Sequence, residues 1–398
     1  MKFGLMSKID HYFGTIVLTL LLPLHLIQCL VGRRNSNPVT KPLEVRNIFI
    51  SKYFGMGSIL LATPMIRGLK SHFKNARITF VTFDQNRSFC QNISEVDRII
   101  TFDRSNFFKF TRDVFRFFFS FHKPDIFMDL EFYCNFPLII IILSLAKLRM
   151  AFVEKQLMRR LYTTIPVYFN YRRHITEIFA NYAIYLGAPK FPLDDYSQLK
   201  FNTNDLKKAE SLADNFNEIV LVNPNASELS DLRKWPGEYF KYVIQHLLTK
   251  PDRKVLLIGG KEDFDTGEDI LSGIEGVNVE NLSGKLSLNE TFALLSIADL
   301  LVTNDSGPLH WAAALGTKTV GLFGPETPEL YGHSGEKHFS FYKGIYCSPC
   351  MNILYNKITT CRDNQCLKQI PPQAVLTKVY EMLRQPNEAS TTFQTAVR

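Results

Sequence analysis

Between Leu300 and His310 the sequence reads Leu-Leu-Val-Thr-Asn-Asp-Ser-Gly-Pro-Leu-His, an apolar run that stops at polar residues and restarts after a proline. This pattern predicts a strand ending at Thr303 and a helix beginning around Pro308, with Ser306 at its cap. The first N–H groups of a helix have no partner within it, and Gly307 lets another group approach closely. The junction therefore suits a diphosphate. Asp305 would repel phosphate, so its expected work is to bind a sugar or ribose hydroxyl or to orient a basic residue. A plain turn and cap would use the same residues. A second set is Cys347 and Cys350 with Cys361 and Cys366, a CxxC followed by a CxxxxC. That spacing is compatible with a small structural zinc site; two disulfides or four free thiols are the other arrangements. Elsewhere, His and carboxylates are not arranged as a catalytic metal set.

Stepping outward from these residues, Asn47 to Ser51 reads as a buried strand, followed by a Gly-containing turn and an apolar-periodic helix from Ile59 to Phe73. Further strands are expected at Arg77 to Phe83, Asp97 to Phe102 and Asp125 to Leu130, with helices between them. A second series runs through Ile219 to Asn223, Val255 to Gly259, Leu300 to Thr303 and Thr319 to Phe323, and a helix from Gln373 to Leu383 closes it. Alternating strands and helices predict an α/β protein with parallel sheets. Two Rossmann-like domains facing a cleft are expected, joined near Ala188 to Asp205. Ligands of such sheets bind beyond the carboxyl ends of the strands. The expected boundaries are 1–35, 36–195, 196–385 and a tail at 386–398.

The 398 residues carry a formal charge of +8 with 46% hydrophobic and 21% charged residues, as in a folded protein of about two domains. The charge favours anionic partners. No nucleic-acid motif accompanies it, and many basic residues alternate with Phe, which points away from nucleic acid and toward a membrane surface or a phosphate-bearing substrate. The apolar stretch from Gly14 to Gly32 is interrupted by Pro23, His25 and Gln28 and has Lys2 and Lys8 before it and Arg33 and Arg34 after it. It is marginal for spanning, and charge on both sides favours an N-terminal membrane-associated helix lying in one leaflet over a crossing or a cleaved signal. The helix expected from Asn106 to His122 puts Phe107, Phe110, Val114, Phe118 and Phe121 on one stripe, read as core, with Phe117 and Phe119 off it. Phe interleaved with Lys109, Arg112 and Arg116 also suits docking on an anionic bilayer. Pro137 to Ala146 is too short to span and reads as a buried helix.

Asn304-Asp-Ser-Gly-Pro-Leu-His-Trp-Ala-Ala-Ala-Leu-Gly316 followed by Thr319-Val-Gly-Leu-Phe-Gly-Pro-Glu-Thr-Pro328 resembles the donor-site signature of glycosyltransferase family nine, the ADP-heptose:lipopolysaccharide heptosyltransferases. Asn223-Pro-Asn-Ala-Ser227, Arg233-Lys-Trp-Pro236, Leu257-Ile-Gly-Gly260 with Glu262 and Asp263, and Leu282-Ser-Gly-Lys285 resemble the family's other C-terminal segments in order. The resemblance implies a GT-B fold, an inverting transfer, no cofactor for catalysis and a nucleotide-diphosphate sugar held by the C-terminal domain. By position it places Ser306, Gly307, Pro308 and His310 along the diphosphate. Asp305, Asn225, Gly259 and Lys285 are likewise placed at the donor. Either Arg233 or Lys234 would offset the charge of the departing diphosphate.

Gly55-Met-Gly-Ser-Ile-Leu-Leu-Ala-Thr-Pro64 is similar to the family's acceptor-side loop, where an Asp follows the second Gly as general base. Here Ser58 follows Gly57, and a serine hydroxyl does not take a proton unaided at neutral pH. Glu131, ahead of Asp129, is the substitute candidate, at the end of an expected strand; a carboxylate there could equally cap the next helix. The reading is an inverting glycosyltransferase at the cytoplasmic face of the cell membrane. It would act on a lipid-linked or cell-surface glycan such as lipopolysaccharide core, with heptose or another sugar. An epimerase-like processor of nucleotide-sugars and a non-catalytic donor-binding homologue are the alternatives.

Overall fold

The computed structural model describes residues 3–35, 44–132, 134–153, 157–226, 230–352, 357 and 359–385. Lys2, residues 36–43, Ser227 and the expected tail at 386–398 lie outside the described residues, as do the side chains of Lys8, Cys29, Arg33 and Arg34. The chain forms two compact units divided between Ser197 and Gln198, with Asn352 and Lys357 belonging to the first.

The first unit holds β1 (Asn47–Ser51), β2 (Arg77–Phe83), β3 (Arg98–Phe102), β4 (Ile126–Asp129), β5 (Leu148–Phe152) and β6 (Ile165–Val167). All pairings are parallel, in the order β3-β2-β1-β4-β5-β6. The second unit holds β7 (Glu218–Asn223), β8 (Arg253–Leu257), β9 (Val279–Asn281), β10 (Leu300–Asn304), β11 (Lys318–Phe323) and β12 (His338–Tyr342), again parallel, ordered β12-β11-β10-β7-β8-β9. Each sheet thus reverses its winding once, between β1 and β4 and between β7 and β10. At such a point the connections leave in opposite directions and open a crevice at the strands' carboxyl ends.

Four strands escape the periodicity reading. β5 is broken by the charged Arg149, which is buried and donates to Gln28 Oε1 at 2.6 Å. β6 and β9 have three residues each, and β12 is a partly exposed edge strand. The single helix expected at 59–73 is two, Met56–Leu61 and Thr63–His72. Pro64 has no N–H for the Leu60 carbonyl, and the Thr63 hydroxyl takes that carbonyl at 2.7 Å instead.

The aromatic content of the first unit goes largely into its core, where Tyr53, Phe83, Phe102 and Phe136 pack ring against ring. Helix Phe107–Phe119 contributes Phe110, Val114 and Phe117 to that core. The expected stripe is therefore out of phase: Phe117, placed off it, is the buried residue, while Phe107 and Phe121 are exposed. Positions 110, 114 and 117 are also spaced four and three residues apart, so a helix with eleven apolar or basic residues offered more than one face. The N-terminal helix, Phe3–Asn35, is continuous through Pro23 and is part of this unit, not a separate one. Its Leu18 is fully buried with Leu138, Ile142 and Tyr162. Among the described residues no helix is long and apolar enough to cross a membrane.

These placements predict that Phe117→Ala lowers unfolding free energy by about 3–5 kcal/mol, whereas Phe119→Ala stays within about 0.5 kcal/mol of the parent. Denaturant titration monitored by circular dichroism distinguishes the two.

Candidate functional site

In the second unit, four residues stand two positions beyond the ends of four neighbouring strands: Asn225 after β7, Gly259 after β8, Ser283 after β9 and Ser306 after β10. Asn225 is almost fully buried, yet neither its Nδ2 nor its Oδ1 has a hydrogen-bond partner among the described residues. The buried Ser283 hydroxyl is likewise unpartnered. Buried polar groups in this condition cost about 1–3 kcal/mol each, so two at the carboxyl end of one sheet, with only β8 between their strands, mark a place built for something else to bind. Gly259 is required there, since a Cβ would come within 2.9 Å of Asn225 Nδ2 and 2.9 Å of Asp263 Cβ.

The helix Gly307–Ala314 starts one residue earlier than expected, with Pro308 second and Ser306 as its cap position. The Ser306 hydroxyl does not cap it. That hydroxyl instead accepts from Asn223 Nδ2 at 2.9 Å and meets Thr303 Oγ1 at 3.0 Å, tying β7 to β10. Consequently the cap side chain leaves the first amides of the helix unbonded, and no other side chain bonds to them among the described residues. Beside it, Arg233 donates to the Asp305 carboxylate and to its carbonyl, both at 2.6 Å. Burial opposes the guanidinium charge, but Asp305 and Glu326 outweigh it and hold the Arg233 pKa above its ordinary value. Asp305 is thus the partner of a basic residue, one of the two roles expected of it. Lys234 is partly exposed and pairs with the exposed Asp231 at 2.8 Å, and Lys285, more exposed still, pairs with Glu280 at 3.3 Å. His310 is buried and its Nδ1 lies 2.9 Å from His333 Nε2. Asn223, Thr303, Ser283, Glu326 and His333 were not singled out from sequence. Glu326 lies inside the 319–328 segment, and it was the only acidic residue there.

In the first unit, Asp129 and Glu131 are both inaccessible to solvent. Asp129 pairs with Arg159 and accepts from Ser51 Oγ at 3.1 Å. Burial raises its pKa, with the adjacent Arg159 pulling the other way. Arg159 is itself fully enclosed and also donates to the carbonyls of Phe152, Cys134 and Glu131. Glu131 Oε1 accepts from Lys52 Nζ at 2.9 Å and from the amides of Tyr53 and Phe54 at 2.8 and 2.9 Å. Its Oε2 has no partner among the described residues. Glu131 therefore pins the segment leading into Gly55, which has a φ of +79°, and on to the buried Gly57 and half-buried Ser58. Lys52 and Arg159 are the residues sequence reasoning missed; each is one cation among several with no spacing to mark it.

Cys347, Cys350 and Cys361 lie close enough to the buried Cys366 thiol to act on it electrostatically. Among the described residues no three of His, Cys, Asp or Glu are placed to hold a metal ion. Cys361 Sγ is turned to the Asp363 carbonyl at 3.1 Å, and Cys366 is buried against Gly324. Cys347, Cys350, Cys361 and Cys366 are free thiols. Burial raises the Cys366 thiol to about 11.

Two doubly wound parallel sheets, each with polar groups gathered at its switch point, form the α/β fold of the GT-B glycosyltransferases. The sequence pattern of glycosyltransferase family 9 (heptosyltransferase) matches residues 164–357 of the chain. Lipooligosaccharide heptosyltransferase 2 of Campylobacter jejuni serotype O:2 is 27% identical over 174 residues, which are 43% of this chain and 52% of that protein, so the chain spans about half its length. The serotype O:6 protein of the same name is 23% identical over 350 residues, covering 84% of this chain and 98% of the relative. The structure of Escherichia coli ADP-heptose lps heptosyltransferase II superposes with a TM-score of 0.66 at 18% identity, covering 85% of this chain and 98% of that one.

Removing one partner of the enclosed Asp129–Arg159 pair leaves an uncompensated charge. Arg159→Leu is expected to cost about 3–5 kcal/mol, and Asp129→Leu added to it to recover part of that loss. Denaturant unfolding of the single and double variants measures both. A second expectation concerns His338, whose Nδ1 meets Thr319 Oγ1 at 2.9 Å. Burial, then Lys337, pushes its pKa from 6.5 to about 4. The unfolded chain therefore binds the proton first, and stability is lost as pH falls from about 6.5 through 4. The partly exposed ring limits this to about 2 kcal/mol. Melting temperature against pH should fall less steeply in that window for His338→Gln.

Proposed function

We propose that the chain transfers a sugar, heptose or another, from a nucleoside-diphosphate donor to a lipid-linked or cell-surface glycan such as lipopolysaccharide core, with inversion at the anomeric carbon. The observation that carries this reading is the pair of buried, unpartnered groups, Asn225 and Ser283, on the same strand edge as the uncapped amides at Gly307. A nucleoside diphosphate supplies what these lack: acceptor oxygens for the amides and hydroxyls or phosphate oxygens for the amide side chain. The names of the relatives support heptose, ADP and lipooligosaccharide as the first compounds to try.

In the proposed reaction the acceptor hydroxyl loses its proton and attacks the anomeric carbon from the face opposite the leaving group. The bond from that carbon to the diphosphate oxygen breaks, and its electron pair leaves with the diphosphate. The N–H groups of Ser306, Gly307 and Leu309 and the cation of Lys234 receive that charge, Pro308 having no N–H to offer. Arg233, already committed to Asp305, acts by fixing the loop. Glu131 is the proposed base. Lys52 and two amides hold Oε1 and leave Oε2 as the oxygen with lone pairs available. Since Oε2 is enclosed, proton transfer requires the 52–58 segment to yield as the acceptor binds.

Titration calorimetry with ADP-heptose should show Asn225→Ala weakening donor binding about tenfold. The same substitution should raise the melting temperature of the ligand-free chain, because it removes an unpaired buried amide. A lower melting temperature would mean that the amide is partnered and the site is not a donor site. With donor and acceptor supplied, Glu131→Gln should lower kcat about 10²–10⁴-fold. An unchanged kcat with a lower melting temperature would make Glu131 an anchor of the loop and nothing more. Retention of configuration in the product would contradict the displacement itself.

A further inference from the structure

The first unit carries an apolar surface that its folding does not use. Helix Phe136–Leu143 lies in the middle: Phe136, Ile140 and Ile141 pack with helix Phe107–Phe119, and Leu138 and Ile142 pack with the N-terminal helix. The two outer helices therefore flank one helix on one face of the sheet. Each buries one side and leaves large apolar residues on the other. On the N-terminal helix Phe13, Ile16, Leu20 and Ile27 are more than half exposed, Leu20 at 75%. On the second helix Phe115 and Phe119 are exposed and stacked on each other with centroids 6.4 Å apart. Such exposure on the two helices that flank Phe136–Leu143 marks an interaction surface and not scattered surface residues.

The N-terminal helix is fixed to the unit by polar bonds along its length. Asp10 accepts from the amides of Asn135 and Phe136 at 2.7 and 2.8 Å, occupying the free N–H groups at the start of the central helix. Near its other end Gln28 donates to the Ile142 carbonyl at 3.0 Å and accepts from Arg149. Between them the Tyr162 hydroxyl donates to the Leu18 carbonyl. A helix held by this many domain contacts keeps one face on the protein and can offer only the other outward.

We infer that this surface docks in the plane of a bilayer leaflet rich in anionic lipid, with the N-terminal helix lying along the interface and the Phe115–Phe119 pair entering beside it. Charge selects the occupant. Lys109, Arg112 and Arg116 stand exposed around the phenylalanines against two acids, Asp103 beside Lys109 and Asp113 beside Arg112, and exposed Arg160 follows the enclosed Arg159 on helix Leu157–Tyr162, which also touches the N-terminal helix. The whole chain adds a formal +8. Apolar side chains rimmed by cations match acyl chains beneath negative headgroups, with side chains entering about 5–10 Å. The inference is independent of the transfer chemistry: docking and donor binding involve different residues and fail separately.

The test uses the full chain and vesicles of phosphatidylcholine with or without phosphatidylglycerol. Co-sedimentation should be strong with phosphatidylglycerol and weak without it. Leu20→Glu and Phe119→Glu, both at exposed positions, should each weaken partitioning roughly tenfold, and the double variant should stay in the supernatant with its circular dichroism and ADP-heptose binding unchanged. The native tryptophans, Trp235 and Trp311, are buried in the second unit. A tryptophan at Leu20→Trp or Phe119→Trp therefore reports its own site. Both should shift to the blue on vesicles and be quenched by lipids brominated along the acyl chain. The proposal is overturned if the glutamate variants bind vesicles like the parent. It is equally overturned if they abolish self-association in sedimentation equilibrium while the parent ignores vesicles, which would make a second copy the occupant. Quenching at Leu20 alone would reduce the surface to the N-terminal helix and reject the joint one.

Discussion

Each sheet of this protein ends in a buried arginine–aspartate pair, and the loops that could do chemistry hang on those two pairs. Asp129 leaves β4 beside the switch point and is met there by Arg159, which gathers three backbone carbonyls as well. Asp305 leaves β10 beside the corresponding switch point and is met by Arg233. Ion pairs enclosed like this contribute little net stability, because desolvation offsets most of the attraction. What they supply is definition. An arginine with several fixed acceptors admits one arrangement of the chain around it, and the segment after a parallel strand otherwise has no ladder to hold it. The same sheet order in both units puts the same demand at the same place.

The two pairs hold different things. At β10 the Arg233 contact keeps Asp305 off the helix that follows, and Ser306 spends its hydroxyl on Asn223 and Thr303. The outcome is a helix start with its amides open and its neighbours rigid, which is the preorganisation an anion site needs. At β4 the order is reversed. Glu131 fills one oxygen with Lys52 and two amides and leaves the other without a partner among the described residues, so the loop from Lys52 to Ser58 is secured through a single carboxylate oxygen. Glu131 Oε2 at β4, like Asn225 and Ser283 beyond β7 and β9, is buried without a partner among the described residues, the kind of local cost that a fold carries where it binds or reacts and seldom elsewhere.

How much of this was visible in the sequence follows from what each signal depends on. Strands buried on both faces are runs of Val, Ile, Leu and Phe, and β1, β2, β7 and β10 were legible for that reason. The segment from Val302 to Pro328 was legible because strand, glycine and proline come in a fixed order. Phase was not. Helix Phe107–Phe119 has so many phenylalanines that several stripes fit, and only the neighbour at Phe136–Leu143 decides that Phe117 goes inward. Partner choice was not legible either. Nothing in the run Leu-Met-Arg-Arg-Leu-Tyr tells which arginine is enclosed, since that depends on a carboxylate thirty residues away in sequence. Asp305 was read as orienting a base or binding a hydroxyl, and only the position of Arg233 separates the two.

The N-terminal helix shows how a weak sequence signal becomes a strong structural one. Its apolar stretch is too interrupted to read as a span, and Pro23, His25 and Gln28 look like defects in it. Two of those three are connections in the folded unit: His25 is buried with its ring edge-on to Tyr162, and Gln28 bridges the Ile142 carbonyl to Arg149. Polar residues that would make a spanning helix costly are the ones that attach this helix to a domain. The apolar residues between them are then left with two environments, the core and whatever lies outside. Leu18 and Leu20, two residues apart, take one each. A helix constrained in this way can meet a membrane only along its flank, and the domain it belongs to must come with it.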